Sequence, residues 1–112
     1  MNKPASPATC TTRECLEKNE GQVIDVEGVY VFPKELAFAV NKLELKDGTT
    51  IVLSPPKNEL RDHFANENDG LKMIIRGRIF TGMIPQKYKI IGRTAEPHLL
   101  ELEKIERLRP QE

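Results

Sequence analysis

The chain has 112 residues and a formal net charge of zero, with 38% hydrophobic and 30% charged residues. This length suits one domain with a modest core, and zero net charge argues against a protein that coats nucleic acid by bulk attraction. No apolar run approaches the roughly 20 residues that span a bilayer, and the N-terminus lacks the apolar segment of a signal peptide.

The charges are distributed unevenly along the sequence. Residues 1–70 contain eight Lys and Arg against twelve Asp and Glu, whereas residues 71–93 contain six Lys and Arg and no acid. We call residues 71–93 the basic stretch. Because a local excess of one sign attracts the opposite charge whatever the total charge is, this stretch is the strongest functional signal in the sequence.

Residues 1–10 lack periodicity and are predicted as a flexible lead-in, followed by a single domain over residues 11–109. The segment TTRECLEKNEG then predicts a short helix. Thr11 is expected to be its N-cap, Glu14 the capping-box partner and Gly21 the left-handed stop.

In this register Cys10 and Cys15 occupy the two positions that a hydrophobic staple brings into contact. Three interpretations stay open: a disulfide, two packed thiols, or half of a metal site. Since a structural zinc site needs four ligands, we expect no metal. A disulfide would indicate a periplasmic or exported protein, and free thiols a cytoplasmic one.

Alternation of apolar and polar residues predicts five strands. In chain order they are VIDVEGVYVF, LAFAVNKLEL, TTIVLS, LKMIIRGRIF and HLLELEKIERL. Gly28 and Gly77 are predicted to be β-bulges in the first and fourth strands. Asp47-Gly48 predicts a type I′ hairpin turn between the second and third. The segment KNELRDHFANENDG predicts a helix before the fourth strand.

This order of strands and helices resembles the OB-fold over residues 22–108. The phrases VIDVEGVYV and MIIRGRIF look like those of small single-domain bacterial OB-fold proteins, including exported ones with a short helix before the first strand. The resemblance implies a mainly β, five-stranded Greek-key barrel with a short N-terminal helix and a helix between strands 3 and 4. It also implies that ligands lie across strands 2 and 3, flanked by the loops 32–38 and 82–97.

The second of these loops overlaps the basic stretch, so we expect the binding site there. The candidate residues are Arg76, Arg78, Lys87, Tyr88, Lys89 and Arg93. We expect a non-catalytic adaptor that recognises a protein partner or a small anionic ligand, without a cofactor, because no catalytic or phosphate-loop motif is found. The alternative is binding of single-stranded nucleic acid, which would need more stacking rings than the six aromatic residues supply.

Overall fold

The computed structural model describes residues 7–34, 40–88 and 96–108. Its strands and α-helix, in chain order, are β1 (Thr9–Cys10), α1 (Arg13–Lys18), β2 (Val23–Val31), β3 (Asn41–Glu44), β4 (Thr50–Leu53), β5 (Lys72–Phe80) and β6 (His98–Arg107). Three 3-10 turns complete the described secondary structure, at Asn58–His63, Asn66–Asn68 and Gln86–Tyr88.

Strands β2 to β6 close into a five-stranded barrel. β2 pairs antiparallel with both β3 and β5, β3 pairs antiparallel with β4, β4 pairs parallel with β6, and β6 pairs antiparallel with β5. The mainly β fold is therefore confirmed, and the barrel is compatible with an OB-like architecture. β1 adds a sixth strand, parallel to β2, from within the predicted lead-in.

The barrel is strongly staggered, as closure of a small barrel requires. A path through paired residues runs from Val31 to Lys42, Val52, His98 and Phe80. It returns to β2 near Gly21, whose N–H donates to the carbonyl of Ile79. The path thus leaves β2 at its last residue and returns just before its first, which is the stagger of the barrel.

Alternate residues of the long strands fill the barrel, as the sequence pattern predicts. In β2, Ile24, Val26 and Tyr30 are buried while Asp25 and Glu27 lie on the outer face. Complete burial of one such aliphatic side chain contributes about 1.5–3 kcal/mol. The other core residues include Leu43, Ile51, Met73, Ile75, Ile79, Leu99, Leu102 and Ile105. Inward and outward positions of β2 are thus fixed by the period of two along the strand.

Helix α1 begins one residue later than predicted. Its N-cap is Thr12, not Thr11, and the Thr12 hydroxyl accepts from the N–H of Cys15 at 3.4 Å. This register turns Leu16 into the core, where it is fully buried. The Sγ atoms of Cys10 and Cys15 lie 2.04 Å apart, so the pair forms a disulfide that joins β1 to α1.

Gly28 pairs with Met73 without a register shift, so the β-bulge predicted there is wrong. A register shift does lie beside Gly77, between Arg76 and Arg78. Between β5 and β6, Arg76 pairs with Lys104 and Arg78 with Leu100, so the extra residues belong to β6. Each glycine lets another strand approach closely. A Cβ at Gly28 would lie 2.7 Å from the carbonyl oxygen of Glu44, and a Cβ at Gly77 would lie 2.8 Å from the carbonyl oxygen of Leu100.

The N–H of Leu45 donates to the carbonyl of Thr49, so the β3–β4 hairpin closes around the three residues 46–48 and not through a type I′ turn. Gly48 donates to the carbonyl of Leu45 at 3.0 Å and has φ +90°, but Asp47 does not have a positive φ. The Asp47 carboxylate accepts from the N–H of Thr49 at 3.0 Å and from that of Arg13 at 2.8 Å. These hydrogen bonds hold the pKa of Asp47 below its ordinary value, with the bond from Arg13 the larger cause. The hairpin thus fixes the start of α1.

The segment between β4 and β5 forms 3-10 turns where a longer helix was predicted. Asn68 is buried, and its side-chain amide donates to the carbonyl of His63 at 2.7 Å. This hydrogen bond competes with the backbone hydrogen bonds of a regular helix. Phe64 lies at the end of the first turn and stacks on Tyr30, with ring centroids 5.3 Å apart. The segment therefore covers the core through a few apolar side chains. No helix in the described residues is long and apolar enough to cross a membrane.

Candidate binding loop

The first arginine of the basic stretch is paired with an acid from a neighbouring strand. Arg76 and Asp25 are direct cross-strand partners on the outer face of the barrel. The guanidinium donates from Nε at 2.7 Å and from Nη2 at 3.1 Å to the two carboxylate oxygens. This bidentate bond to Asp25 is the main reason why the pKa of Arg76 is raised. An external anion would have to compete with Asp25.

Arg78 is also paired, with residues on both sides of β5. Its Nε donates to Oε1 of Glu101 at 3.1 Å, and its Nη1 donates to the carbonyl of Gly21 at 2.7 Å. Glu101 lies in the irregular part of β6, with φ +52°. The basic character of β5 is therefore largely balanced by acids and carbonyls of adjacent elements.

The same Glu101 oxygen also holds Tyr88, the last described residue in the first part of the connection that follows β5. The hydroxyl of Tyr88 donates to this oxygen at 3.0 Å. The Tyr88 ring packs on the Phe80 ring, with centroids 5.3 Å apart. Lys87 Nζ lies 5.2 Å from the centroid of the Tyr88 ring. Hydrogen bonds from Tyr88 and, second, from Arg78 hold the pKa of Glu101 below its ordinary value.

The near end of this connection is held by Glu20, which follows α1. Its Oε1 accepts from the N–H of Thr81 at 2.8 Å and from the Thr81 hydroxyl at 2.5 Å. Its Oε2 lies 3.4 Å from the amide nitrogen of Gly82, which also donates to it. We call residues 81–88, the first described part of the β5–β6 connection, the binding loop, after the site that the sequence predicts there. It is attached to the barrel at both ends.

Between these two attachments the loop presents an apolar side chain to solvent. Met83 is 82% exposed, the highest value among the exposed large hydrophobic residues of the described chain. Gln86–Tyr88 forms a 3-10 turn in which the Tyr88 N–H donates to the carbonyl of Pro85 at 3.1 Å. Met83 and the exposed Lys87 are thus carried on a short segment with defined ends.

The barrel face beside the loop is covered by the chain that enters β6. Val52 and Phe80 point outward, yet they are nearly buried. His98 is also buried, and its Nδ1 lies 2.9 Å from the carbonyl oxygen of Glu96. The side chain of Glu96 pairs with Lys42 at 3.4 Å. This face is therefore packed by the protein's own residues.

The structure brings together three of the six residues predicted for the site. Arg78, Lys87 and Tyr88 surround Glu101, whereas Arg76 lies further along β5 on Asp25. Lys89 and Arg93 fall outside the described residues. The sequence reasoning did not identify Glu20, Met83 or Glu101 as parts of the site. Met83 had a signal, as a large apolar residue beside Gly82 in a predicted loop, but the two acids reach the loop only through tertiary structure.

The described residues contain no group of three or more His, Cys, Asp or Glu arranged to hold a metal ion. The sequence matches no protein-family model, and no curated protein is similar to it. Its function is therefore argued from the arrangement of its own residues.

Proposed function

We propose that this protein is a non-catalytic binding module that recognises a protein partner through the binding loop. The observation that supports this most directly is Met83, 82% exposed on a loop whose two ends are hydrogen-bonded to the barrel. A loop that is already ordered loses less conformational entropy on binding than a free one. An exposed methionine can fill an apolar pocket of irregular shape, because its side chain is flexible and polarisable.

The charge beside Met83 indicates the chemistry of the partner surface. Lys87 is exposed next to Tyr88, whereas Arg76 and Arg78 are already paired with Asp25 and Glu101. We therefore propose a partner with an apolar pocket and an acidic rim, in which Met83 and Tyr88 supply contact area and Lys87 the complementary charge. A small anionic ligand would use Lys87 in the same way.

Site-specific photo-crosslinking tests this proposal. A photoreactive side chain at position 83 should give a discrete crosslinked species with the partner, and one at the exposed position Glu59 should not. Excess unlabelled wild-type protein should compete, whereas protein carrying Met83→Ser and Lys87→Glu should not. Equal crosslinking from both positions, or none from position 83, would refute the loop as the interface.

Single-stranded nucleic acid is the second ligand class that the test must separate. We rank it lower because Arg76 and Arg78 are bonded to Asp25 and Glu101. Binding of oligonucleotides should weaken with log[salt] with a slope of roughly −0.7 per phosphate contact. Measurable binding with such a slope, lost in Lys87→Glu, would replace the protein partner as the proposed ligand.

The Cys10–Cys15 disulfide leads us to propose an oxidising compartment, in which such bonds persist. This agrees with the resemblance to small bacterial OB-fold proteins, some of which are exported. Blocking of free thiols in freshly lysed cells, followed by intact mass measurement, tests the proposal. Two thiols labelled before any reductant is added would contradict it.

A further inference from the structure

A carboxylate from outside both the basic stretch and the barrel strands holds the start of the binding loop. Glu20 accepts from the N–H and the hydroxyl of Thr81 and from the N–H of Gly82, 61 and 62 residues further along the chain. Hydrogen bonds to an ionised carboxylate are shorter and stronger than those between neutral groups. These contacts act where the chain leaves β5, and thus where the direction of the loop is set.

Glu20 is itself held in a defined place. The next residue, Gly21, has φ +77° and donates to the carbonyl of Ile79 at 2.7 Å, while the N–H of Ile79 donates to Gln22 at 3.0 Å. The α1–β2 connection is thereby joined to the last part of β5. Rotation of Glu20 away from Thr81 would leave the backbone on both sides of it bonded.

Helix α1 provides a firm support for this connection. Leu16 is fully buried in the core, the disulfide joins Cys15 to β1, and the N–H of Arg13 donates to Asp47 of the β3–β4 loop. The helix is therefore fixed at three places, none of which involves the binding loop. A side chain at its C-terminal end can act as a fixed point for the loop.

We infer that Glu20 is the positioning residue of the binding loop and sets the direction in which Met83 is presented. Its role in recognition rests on the proposed function, but its effect on the loop does not need a partner to be measured. A Cβ built at Gly82 would meet nothing within 4 Å, so no atom is packed against the residue in that direction. The three hydrogen bonds to Glu20 therefore fix the backbone at Thr81 and Gly82, where the loop begins.

NMR relaxation of the full chain tests the inference, with Met73 as an internal reference because it is fully buried in the barrel. In Glu20→Ala, the backbone order parameter of Met83 should fall from about 0.85 to below about 0.6, while that of Met73 stays near 0.85. Glu20→Gln, which keeps an acceptor oxygen but no charge, should give an intermediate value. Glu17→Ala, in α1 three residues before Glu20, removes a carboxylate that is bonded to Arg13 and should leave Met83 unchanged.

An unchanged order parameter of Met83 in Glu20→Ala would overturn the inference. So would an equal loss of order at Met73, since Glu20 would then support the barrel as a whole. These results are separate from the crosslinking test. Failure to capture a partner would refute the binding function and leave the positioning role of Glu20 in place. A loop that stays rigid in Glu20→Ala would refute the positioning role and leave the binding function in place.

Discussion

The hydroxyl of Tyr88 donates a hydrogen bond to Oε1 of Glu101 at 3.0 Å, which joins the binding loop to β6. The same oxygen accepts from Arg78. Among the described residues Glu101 is the only one other than glycine with a positive φ, at +52°. Residues other than glycine rarely adopt this backbone conformation, and those that do are concentrated at functional sites. The irregularity in β6 thus presents a carboxylate to both Arg78 and the loop.

Replacement of Tyr88 by Phe should raise the pKa of Glu101 toward its ordinary value, because the hydrogen bond from Tyr88 is the largest cause of its lowering. A carboxyl with a lowered pKa in the folded state stabilises the fold above its unfolded pKa of about 4.3. That contribution is lost as the pH falls through the folded pKa. The stability difference between wild type and variant should therefore be largest above this range and shrink at lower pH.

Carbon-13 NMR titration of the Glu101 carboxyl and urea unfolding at several pH values would measure both effects. Phe at position 88 keeps the ring that packs on Phe80, so the variant loses the hydroxyl without losing this packing. An identical titration of Glu101 in the two proteins would show that Tyr88 does not hold this carboxylate in solution.

Gly77→Ala should destabilise the barrel by about 1–3 kcal/mol, the usual cost of overpacking a core. The new Cβ would lie 2.8 Å from the backbone oxygen of Leu100 and 3.0 Å from a methyl of Leu102. A backbone atom within a strand pair cannot move aside cheaply. Urea denaturation measures the loss, and Gly82→Ala is the matched control because nothing lies near its Cβ. Equal stability of the two variants would mean that β5 and β6 separate easily at this point.

The strands could be predicted because their signal is local. Alternation of side chains from residue 23 to residue 31 follows from the geometry of a single strand, and β2 covers that range. In β6 the core residues are Leu99, Leu102 and Ile105, so the alternation changes phase within the strand. That change occurs near Glu101, where the register between β5 and β6 shifts.

Only part of the site could be predicted, because the acids that pair with the arginines of β5 lie on other strands. Asp25 lies 51 residues before Arg76, and Glu101 lies 23 residues after Arg78. A count of charges along a window of sequence cannot detect such partners, which depend on strand register. The N-cap of α1 was misplaced for a related reason: Thr11 and Thr12 are both suitable caps, and burial of Leu16 favours the second.

Tyr30 should ionise only at strongly alkaline pH. Burial first, and the nearby Asp69 second, raise its pKa to about 12. Its hydroxyl donates to the side chain of Asn41, and its ring stacks on Phe64. Since an unfolded tyrosine ionises near pH ~10, the neutral form stabilises the fold below that value. The contribution is lost as the pH rises toward 12.

Ultraviolet titration of Tyr88→Phe would isolate this ionisation, since the chain has only two tyrosines. We expect tyrosinate absorbance to appear together with loss of the folded circular dichroism signal. Tyr30→Phe should resist alkaline unfolding better than Tyr88→Phe. Ionisation of Tyr30 near pH ~10 in a folded protein would contradict its burial.

Reduction of the Cys10–Cys15 bond should lower the free energy of unfolding by about 2 kcal/mol, as expected for a short closed loop. The two cysteines are five residues apart, so the crosslink restricts the unfolded chain over a small segment. Cys10 is completely buried, and reduction leaves its atoms in place, whereas substitution would also create a cavity. Urea unfolding with and without dithiothreitol measures the difference directly. The matched control is Cys10→Ala combined with Cys15→Ala, whose stability should not respond to the reductant. If dithiothreitol shifts wild type and this variant equally, or shifts neither, the disulfide does not stabilise the attachment of β1 to α1.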